Sequence, residues 1–432
     1  MMRTFYIWTI GCQMNQADSD RLATALEFLG YRQVGSPRDA EVVVVNSCVV
    51  RQQAEDRVVS KLWELKPLKR RDPQKVITLM GCMVSPKNKD ELKARFPHVD
   101  IFLRPQEYEP LLDLLKERGC VEQVVNPFDL IPKAVGPTAY VPIIHGCNKV
   151  CTYCIIPYRR GKERSRPIEE VRREVQGLVW RGVKEVTLLG QNVDSYGHDL
   201  PGKPDLADLF YALNEIKGLK RIRFLTSHPS DMSDRIIEAV AALDKVCEHF
   251  NVPVQAGDDE VLRRMRRGYT VDDYRKLIAK IREKVPGCSL ATDIIVGFPG
   301  ETEEQFQHTL DLLAEIKFDV VHVARYSPRP GTFGAKFLPD DVPPEEKKRR
   351  HRAVEELQEK IAAEINARLL GETVEVLVEG RQKDKWYGRT RTNKLVFFPG
   401  EGNLLGELVQ VRIEKTSPWA LQGSLVVPAA VA

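Results

Sequence analysis

Short apolar runs alternate with amphipathic stretches through the first 120 residues of the chain. The apolar runs have the length of strands and lie at residues 5–9, 41–45 and 75–80. The amphipathic stretches have helical periodicity and lie at residues 18–29, 52–65 and 86–96. Strands that alternate with helices predict a parallel sheet covered by helices on both faces. We therefore predict an N-terminal parallel α/β domain over residues 1–120.

The same alternation repeats six times after a proline-containing linker at residues 126–137. The strand-length runs lie at residues 139–144, 185–189, 221–225, 249–254, 290–296 and 320–326. Six strand–helix units fit an open barrel better than a flat sheet, and a complete eight-unit barrel would need two more units than the pattern contains. We therefore predict a (βα)6 partial TIM barrel over residues 133–365.

The pattern changes after Pro343, where a long charged helix runs to about residue 370. Five short strand-like segments follow, at residues 373–379, 385–392, 395–399, 408–415 and 420–427. A tail of short strands and turns is typical of a small β-barrel such as the OB fold. We predict an OB-like β-barrel over residues 368–430.

Composition narrows the function classes only a little. The net charge of +4 over 432 residues is too small to indicate nucleic-acid binding by itself, so a nucleic-acid surface would require local clustering of basic residues. The longest apolar runs, such as 42–45 and 186–189, are far shorter than a membrane span, and the N-terminus has no signal-peptide pattern. We expect a cytoplasmic monomer without a membrane partner.

Nine cysteines, an odd number in a chain without an export signal, favour metal or redox chemistry over a disulfide framework. Cys147, Cys151 and Cys154 follow a predicted barrel strand, at the end where barrel active sites lie. Three thiolates can ligate three irons of a four-iron cluster and leave one iron open for a ligand. The alternative is a zinc site in which His145 supplies the fourth ligand, although its spacing is poor.

A second set of cysteines shares one structural position. Cys12, Cys48 and Cys82 each follow one of the three predicted N-terminal strands. Because the carboxyl ends of parallel strands meet at one edge of a sheet, these thiols are expected to converge on a second cluster. The alternative is three buried cysteines that act as small hydrophobic side chains. The remaining three have no such register and are expected to be core or incidental thiols: Cys120, Cys247 and Cys288.

The sequences around these cysteines carry a family resemblance. The C-x3-C-x2-C spacing from Cys147 matches the loop of the radical S-adenosylmethionine superfamily. Together with the segments at 11–15, 46–51, 81–82, 227–229, 297–301 and 326–331, it resembles the methylthiotransferase family over nearly the whole chain. Gln13-Met14-Asn15 is similar to the branch that modifies dimethylallyladenosine, whereas Ser47 and residues 256–258 differ from the residues usual in the family. The C-terminal strands resemble a TRAM domain, which binds RNA.

The resemblance implies a reaction, cofactors and partners. The enzyme would transfer a methylthio group to C2 of N(6)-dimethylallyladenosine beside the anticodon of tRNA, using two S-adenosylmethionine molecules and two [4Fe-4S] clusters. An electron donor and a sulphur source would be needed, and neither can be identified from the sequence. Two other substrates stay open, threonylcarbamoyladenosine in tRNA and a ribosomal protein. A non-catalytic iron–sulphur or zinc protein that binds RNA is the alternative from another class.

The resemblance also implies cofactor-binding residues, while no catalytic side chain is assigned. Tyr153 would stack near the adenine of S-adenosylmethionine, or act only as an aromatic lid over the cluster. Gly190, Gln191 and Asn192 follow the second barrel strand and would bind the methionyl amine, or form only a turn.

Two basic segments are candidates for contact with nucleic acid. Residues 158–164 follow the cysteine loop closely and would either contact phosphate or form a solvated loop. Residues 381–394 hold six basic residues against one acidic residue, interleaved with Trp386 and Tyr387. That mixture is typical of a nucleic-acid surface, and we expect Arg389 and Arg391 to contact tRNA phosphates. The alternative is a solvated hairpin.

Overall fold

The computed structural model describes residues 3–49, 52–118, 126–133 and 136–426. The chain divides into two compact units. The first unit comprises Met1–Lys133, Tyr140–Lys149 and Ile155–Arg164, and the second comprises Ala134–Ala139, Val150–Cys154 and Ser165–Ala432. Cys147 therefore belongs to the first unit, whereas Cys151 and Cys154 belong to the second. Cys120 lies outside the described residues.

The first unit is built on a parallel five-stranded sheet. Its strands are β1 (Thr4–Thr9), β2 (Arg32–Gln33), β3 (Val42–Ser47), β4 (Val76–Gly81) and β5 (Ile101–Leu103), in the order β2-β1-β3-β4-β5. The helices are α1 (Gln13–Phe28), α2 (Gln52–Arg71), α3 (Lys89–Arg95) and α4 (Glu109–Glu117), with a short 3-10 helix at Pro127–Asp129. Every residue of β3 and β4 is buried, which explains why these central strands are almost continuously apolar.

Short elements follow the first sheet where the chain passes between the units. These are β6 (Thr138–Pro142), β7 (Ile144–His145), α5 (Ile156–Arg160) and β8 (Arg164–Ser165). In the second unit, the start of β6 neighbours the next strand, because the carbonyl of Pro137 accepts hydrogen bonds from the backbone of Lys184 and Glu185.

The second unit continues as parallel strands separated by helices. The strands are β9 (Glu185–Leu189), β10 (Arg221–Leu225), β11 (His249–Asn251), β12 (Ser289–Val296) and β13 (Val320–Arg325). The helices are α6 (Ile168–Trp180), α7 (Leu206–Asn214), α8 (Asp234–Ala242), α9 (Asp259–Met265), α10 (Val271–Lys284), α11 (Glu303–Ile316), α12 (Phe333–Phe337) and α13 (Pro344–Ala367), with a 3-10 helix at Val193–Ser195.

The pairing of these strands confirms the predicted open barrel. Strand β9 pairs in parallel with β10, and β12 pairs in parallel with both β11 and β13. A parallel bridge between Ile222 and Val246 continues the sheet from β10 toward β11. With the start of β6 beside β9, six strands follow one another side by side, as the sequence pattern predicts.

Residues after α13 close into a small barrel in which neighbouring strands are antiparallel, except for β16 and β18, which pair in parallel. Its strands are β14 (Thr373–Gln382), β15 (Lys385–Thr390), β16 (Leu395–Phe398), β17 (Leu408–Thr416) and β18 (Leu421–Leu425), in the closed order β14-β15-β16-β18-β17. Its core is formed by alternating inward side chains such as Val376, Val378, Val411 and Ile413. This confirms the predicted OB-like fold. Over the described ranges, none of the helices is both long and apolar enough to span a membrane.

Candidate functional site

The ends of three neighbouring strands bring Cys12, Cys48 and Cys82 to one edge of the first sheet. Cys12 caps α1 after β1, Cys48 follows β3, and Cys82 follows β4. The backbone N–H of Cys82 donates to the Ser47 carbonyl at 2.9 Å. An ideal Cβ on Gly11, which has φ +145°, would lie 2.9 Å from the Cys48 Cβ, so only glycine fits this approach. The three cysteines of the second predicted set therefore follow adjacent strands at one edge of the sheet.

A buried amide network lies directly beneath these cysteines. The Asn15 Nδ2 donates to the Asn46 Oδ1 and to the Ser47 carbonyl, both at 3.0 Å. The Asn46 Nδ2 donates to the Asn15 carbonyl and to the Ser19 Oγ, both at 2.8 Å. Because both amides are fully buried and well paired, they fix the strand ends that carry the thiols. The thiol of Cys12 also lies 3.3 Å from the Asn15 Oδ1.

Arg160 adds a buried cation to this cysteine set. Its side chain is 2% exposed, and its Nη2 donates to the Asp18 Oδ2 at 3.0 Å, within the first unit. Its guanidinium also interacts with the thiols of Cys82 and Cys12. Burial raises the pKa of the Cys82 thiol, and the charge of Arg160 acts in the opposite direction. Two of the three thiols, those of Cys82 and Cys12, therefore lie beside a buried cation, which suits a group that is held by thiolates.

This position corrects one interpretation of the basic segment 158–164. Arg160 is neither a solvated residue nor exposed for contact with phosphate, because it is buried against a carboxylate of α1. The sequence offers little signal for this contact, since Asp18 and Arg160 are 142 positions apart.

Backbone hydrogen bonds hold the cysteine loop at residues 147–154, named the radical loop, within each unit. In the first unit, the buried Cys147 donates its backbone N–H to the Gly161 carbonyl at 3.1 Å. In the second unit, the Cys154 N–H donates to the Cys151 carbonyl at 3.1 Å, which forms a tight turn between the two thiols. Thr152, inside that turn, donates its N–H to the Met265 carbonyl at 3.1 Å. The loop is therefore anchored to the end of α9 by backbone contacts.

Tyr153 is positioned by an arginine that the sequence reasoning missed. The Arg267 Nη1 lies 3.4 Å from the Tyr153 hydroxyl and 3.3 Å from the Cys151 Sγ. Burial raises the pKa of the Tyr153 hydroxyl far above its usual range, so the phenol stays neutral. The only sequence signal for Arg267 is its place in a basic run, Arg263–Arg264 and Arg266–Arg267, which a solvated helix end would also show.

The strand end at Gly190, Gln191 and Asn192 presents unsatisfied acceptors. Gly190 continues β9 by donating its N–H to the Leu225 carbonyl at 3.1 Å, and the Asn192 Nδ2 donates to the Asp231 Oδ2 at 2.5 Å. The buried amide oxygens of Gln191 and Asn192 have no hydrogen-bond partner among the residues that the structure describes. Since buried polar atoms are normally paired, two such oxygens at a barrel strand end suit a ligand ammonium group.

The zinc alternative depends on His145. In the first unit its Nδ1 is in contact with the side-chain amide of Gln106. Within the described part of the chain, no group of three or more His, Cys, Asp or Glu side chains is arranged to hold a single metal ion.

Comparison with known proteins identifies the family. Three family models match separate regions: the radical SAM superfamily at residues 141–313, the uncharacterized protein family UPF0004 at 4–104 and the TRAM domain at 367–426. A Chloroflexus aurantiacus protein named tRNA-2-methylthio-N(6)-dimethylallyladenosine synthase is 51% identical over 433 residues, which cover 98% of this chain and 91% of that protein. The chain belongs to the methylthiotransferase family of radical S-adenosylmethionine enzymes.

Other relatives carry the same name across different bacteria. The Roseiflexus sp. protein is 52% identical over 98% of this chain and 90% of its own length, and the Moorella thermoacetica protein is 45% identical over 98% of each. As a radical S-adenosylmethionine methylthiotransferase, the chain is an enzyme that uses S-adenosylmethionine and a [4Fe-4S] cluster. The family membership of the chain therefore agrees with the resemblance of its cysteine loop to the radical S-adenosylmethionine superfamily.

Solved structures support the fold of this methylthiotransferase. The radical S-adenosylmethionine methyltransferase TsrM of Kitasatospora setae, solved with cobalamin and a [4Fe-4S] cluster, has a TM-score of 0.59. It is 15% identical, and the match covers 78% of this chain and 77% of that one. At this identity the similarity shows the fold alone.

The TRAM domain of this methylthiotransferase is attached to the barrel by arginines on both sides. The Arg391 Nη2 donates to the Glu248 Oε1 at 2.6 Å and to the Val246 carbonyl at 2.7 Å. From the barrel, the Arg223 Nη2 donates to the Thr390 carbonyl at 2.7 Å, and the Arg221 Nη1 donates to the Arg389 carbonyl at 2.7 Å. These contacts lie on β10 and just before β11.

These contacts correct the prediction that Arg389 and Arg391 contact tRNA phosphates. Arg391 is directed at the barrel, and Arg389 forms an ion pair with Glu379. The basic residues of the segment that remain exposed are those of the β14–β15 hairpin, namely Arg381, Lys383 and Lys385. Within the described segment 381–394, the prediction of a basic surface therefore applies to this hairpin.

Proposed function

We propose that this enzyme transfers a methylthio group to C2 of N(6)-dimethylallyladenosine beside the anticodon of tRNA, using two molecules of S-adenosylmethionine. The observation that carries this proposal is the sequence identity to relatives that are named for this reaction. One of them, for example, is 51% identical over 98% of the chain. A TRAM family match at residues 367–426 agrees with an RNA substrate. An electron donor and a sulphur source complete the reaction, and both have yet to be identified.

The six cysteines divide between two clusters in this proposal. Cys147, Cys151 and Cys154 hold the cluster of the radical loop, and a second [4Fe-4S] cluster is held by Cys12, Cys48 and Cys82. When bound, the first would supply the electron that cleaves S-adenosylmethionine, and the second would carry or supply the sulphur for transfer. The fit of the second set rests on three thiols at one sheet edge, held by a buried amide network and faced by the Arg160 cation.

Binding of S-adenosylmethionine is assigned to four residues of the second unit. The amide oxygens of Gln191 and Asn192 accept hydrogen bonds from the methionyl ammonium, which satisfies two otherwise unpaired acceptors. Gly190 carries no side chain that would obstruct the approach of the ligand. Tyr153 stacks near the adenine and is held in place by Arg267. Three domains are proposed, at residues 1–120, 133–365 and 368–430, in a cytoplasmic monomer.

Nucleoside analysis of tRNA tests the proposal. A bacterial strain that lacks its own methylthiotransferase is complemented with this chain, and digested tRNA is examined by mass spectrometry. The expected product is the 2-methylthio derivative of N(6)-dimethylallyladenosine. Cys288→Ala, which alters a cysteine outside both sets, should restore the product, whereas a variant with alanine at Cys147, Cys151 and Cys154 should not.

The same samples separate the alternative substrates. A methylthio group on threonylcarbamoyladenosine, with none on dimethylallyladenosine, would replace the proposal with the second tRNA substrate. A mass increase on a ribosomal protein, with unmodified tRNA, would indicate the protein substrate.

A further inference from the structure

Arg267 is a buried cation whose side chain is held by contacts with three parts of the second unit. It lies two residues after the end of α9, following Arg266 in the left-handed conformation with φ 56°. Its Nε donates to the Tyr269 hydroxyl at 2.9 Å, and its Nη2 donates to the Pro253 carbonyl at 3.0 Å. These contacts leave Nη1 directed at the radical loop, 3.3 Å from the Cys151 Sγ.

The charge of Arg267 has no carboxylate to match it. The residue is 6% exposed, and none of the ion pairs among the described residues includes it. Its acceptors other than the Cys151 sulphur are the hydroxyls of Tyr269 and Tyr153 and the Pro253 carbonyl, which carry no net charge. Burying a guanidinium without a counter-charge is costly, whereas a thiolate beside it would supply that charge. The guanidinium therefore places an uncompensated positive charge beside the Cys151 sulphur.

We propose that Arg267 is a positioning residue for the radical-loop cluster, which donates an N–H to the sulphur of Cys151 and raises the reduction potential of the cluster. The inference rests on the ligand role of Cys151 in the proposed function and extends it by assigning the electrostatic partner. Reduction adds negative charge to a group that already carries thiolates. A nearby cation and a hydrogen bond to sulphur stabilise the reduced form more than the oxidised form.

The potential of this one cluster is measured in a variant with alanine at Cys12, Cys48 and Cys82, so that no second cluster contributes. Arg267→Gln removes the charge and should shift the reduced-to-oxidised equilibrium at least tenfold toward the oxidised form, about 59 mV lower for one electron. Arg267→Lys keeps the charge without the planar donors, and its potential should lie between the other two. Electron paramagnetic resonance during a redox titration gives each midpoint.

Arg350→Gln is the matched control, since Arg350 is a buried arginine of the same unit that is paired with Glu301. It should titrate at the potential of the parent. A purely structural role for Arg267 would lower iron content or thermal stability without moving the potential of the cluster that remains. A parental potential in every Arg267 variant that folds would overturn the inference. If the parent itself binds no iron, the ligand assignment of the proposed function fails with it.

Discussion

Single residues show two ways to place a cation beside cysteines. Arg160 is neutralised by Asp18, and this ion pair is buried within the first unit. Arg267 has no carboxylate partner among the described residues and is directed at Cys151. A buried ion pair is itself close to neutral for stability, so its retention beside thiols points to a role at the site.

Replacing Cys12, Cys48 and Cys82 by alanine should remove one cluster and leave the other. Iron should fall from about eight to about four per chain, since each cubane holds four irons. Cleavage of S-adenosylmethionine to 5′-deoxyadenosine should persist, whereas methylthio transfer should be lost. Iron and sulphide analysis, with chromatographic detection of 5′-deoxyadenosine, provides the measurement.

Two comparisons make that experiment specific. Alanine at Cys247 and Cys288 should leave iron unchanged, because these thiols belong to neither set. Alanine at Cys147, Cys151 and Cys154 should abolish 5′-deoxyadenosine and retain about four irons. Full iron content in the N-terminal triple variant would refute the assignment of the second cluster.

Arg160→Gln should lower stability by about 3–5 kcal/mol, because it leaves the buried Asp18 carboxylate without its partner. Replacing both partners with apolar residues, as Arg160→Met with Asp18→Leu, should restore most of the stability. Iron at the N-terminal set should nevertheless be lower in the double variant than in the parent, since the Arg160 guanidinium no longer faces Cys82 and Cys12. Urea unfolding and iron analysis measure the two effects separately, and full iron in the double variant would show that Arg160 is only structural.

The positions of the cysteines in the two sets could be predicted from the sequence, whereas the contacts of the arginines beside them could not. The spacing of the thiols and their position after a strand can be recognised from the local sequence. In the structure, Cys12, Cys48 and Cys82 lie at one edge of the sheet, as predicted. The partner of a guanidinium depends on packing between distant segments, so a buried arginine and a solvated one look alike in sequence. Their roles as ligands and counter-charges stay predictions.

At the scale of elements, strand positions were predicted better than helix starts. The predicted strands at 185–189 and 221–225 coincide with β9 and β10. The first helix was predicted over residues 18–29, but α1 begins at Gln13, and Asp18 within it is a buried partner of Arg160. Strands β2 and β5 have only two and three residues, too few for any periodic pattern to show.

The end of β9 leads to a test of cofactor binding. Gln191→Leu removes an amide oxygen proposed to accept from the methionyl ammonium. A hydrogen bond to a charged group contributes about 1.5–3 kcal/mol, so the Kd for S-adenosylmethionine should rise about tenfold or more. Equilibrium binding to the anaerobically reconstituted enzyme measures this change. Gln358→Leu is the control, because Gln358 is buried on α13 and donates to the Phe318 carbonyl. An unchanged Kd in the Gln191 variant would remove this residue from the binding site.

For the molecule as a whole, the attachment of the TRAM domain changes where RNA contact is expected. A basic segment has the same sequence pattern whether it faces phosphates or the carboxylates of its own barrel. Lys394 illustrates this, because its ammonium lies 2.5 Å from the Asp319 Oδ1 of the barrel. Arg391 is bound to Glu248 in the same way. Within the described segment 381–394, the exposed cations are those of the β14–β15 hairpin.

Two variants distinguish the residues that attach the TRAM domain to the barrel from those that are expected to contact RNA. Changing Arg381, Lys383 and Lys385 to alanine should weaken tRNA binding and lower the slope of log K against log salt by about two to three, since each lost phosphate contact removes about 0.7–0.9. Arg391→Ala should leave that slope unchanged and lower the melting temperature, because its contacts are with Glu248 and the Val246 carbonyl. Filter binding over a salt series, with thermal unfolding of the same samples, distinguishes the two effects. Cleavage of S-adenosylmethionine without tRNA should be unaffected by the hairpin variant. If Arg391→Ala lowers the slope as much as the hairpin variant does, Arg391 contacts RNA and its attachment to the barrel is not its main role.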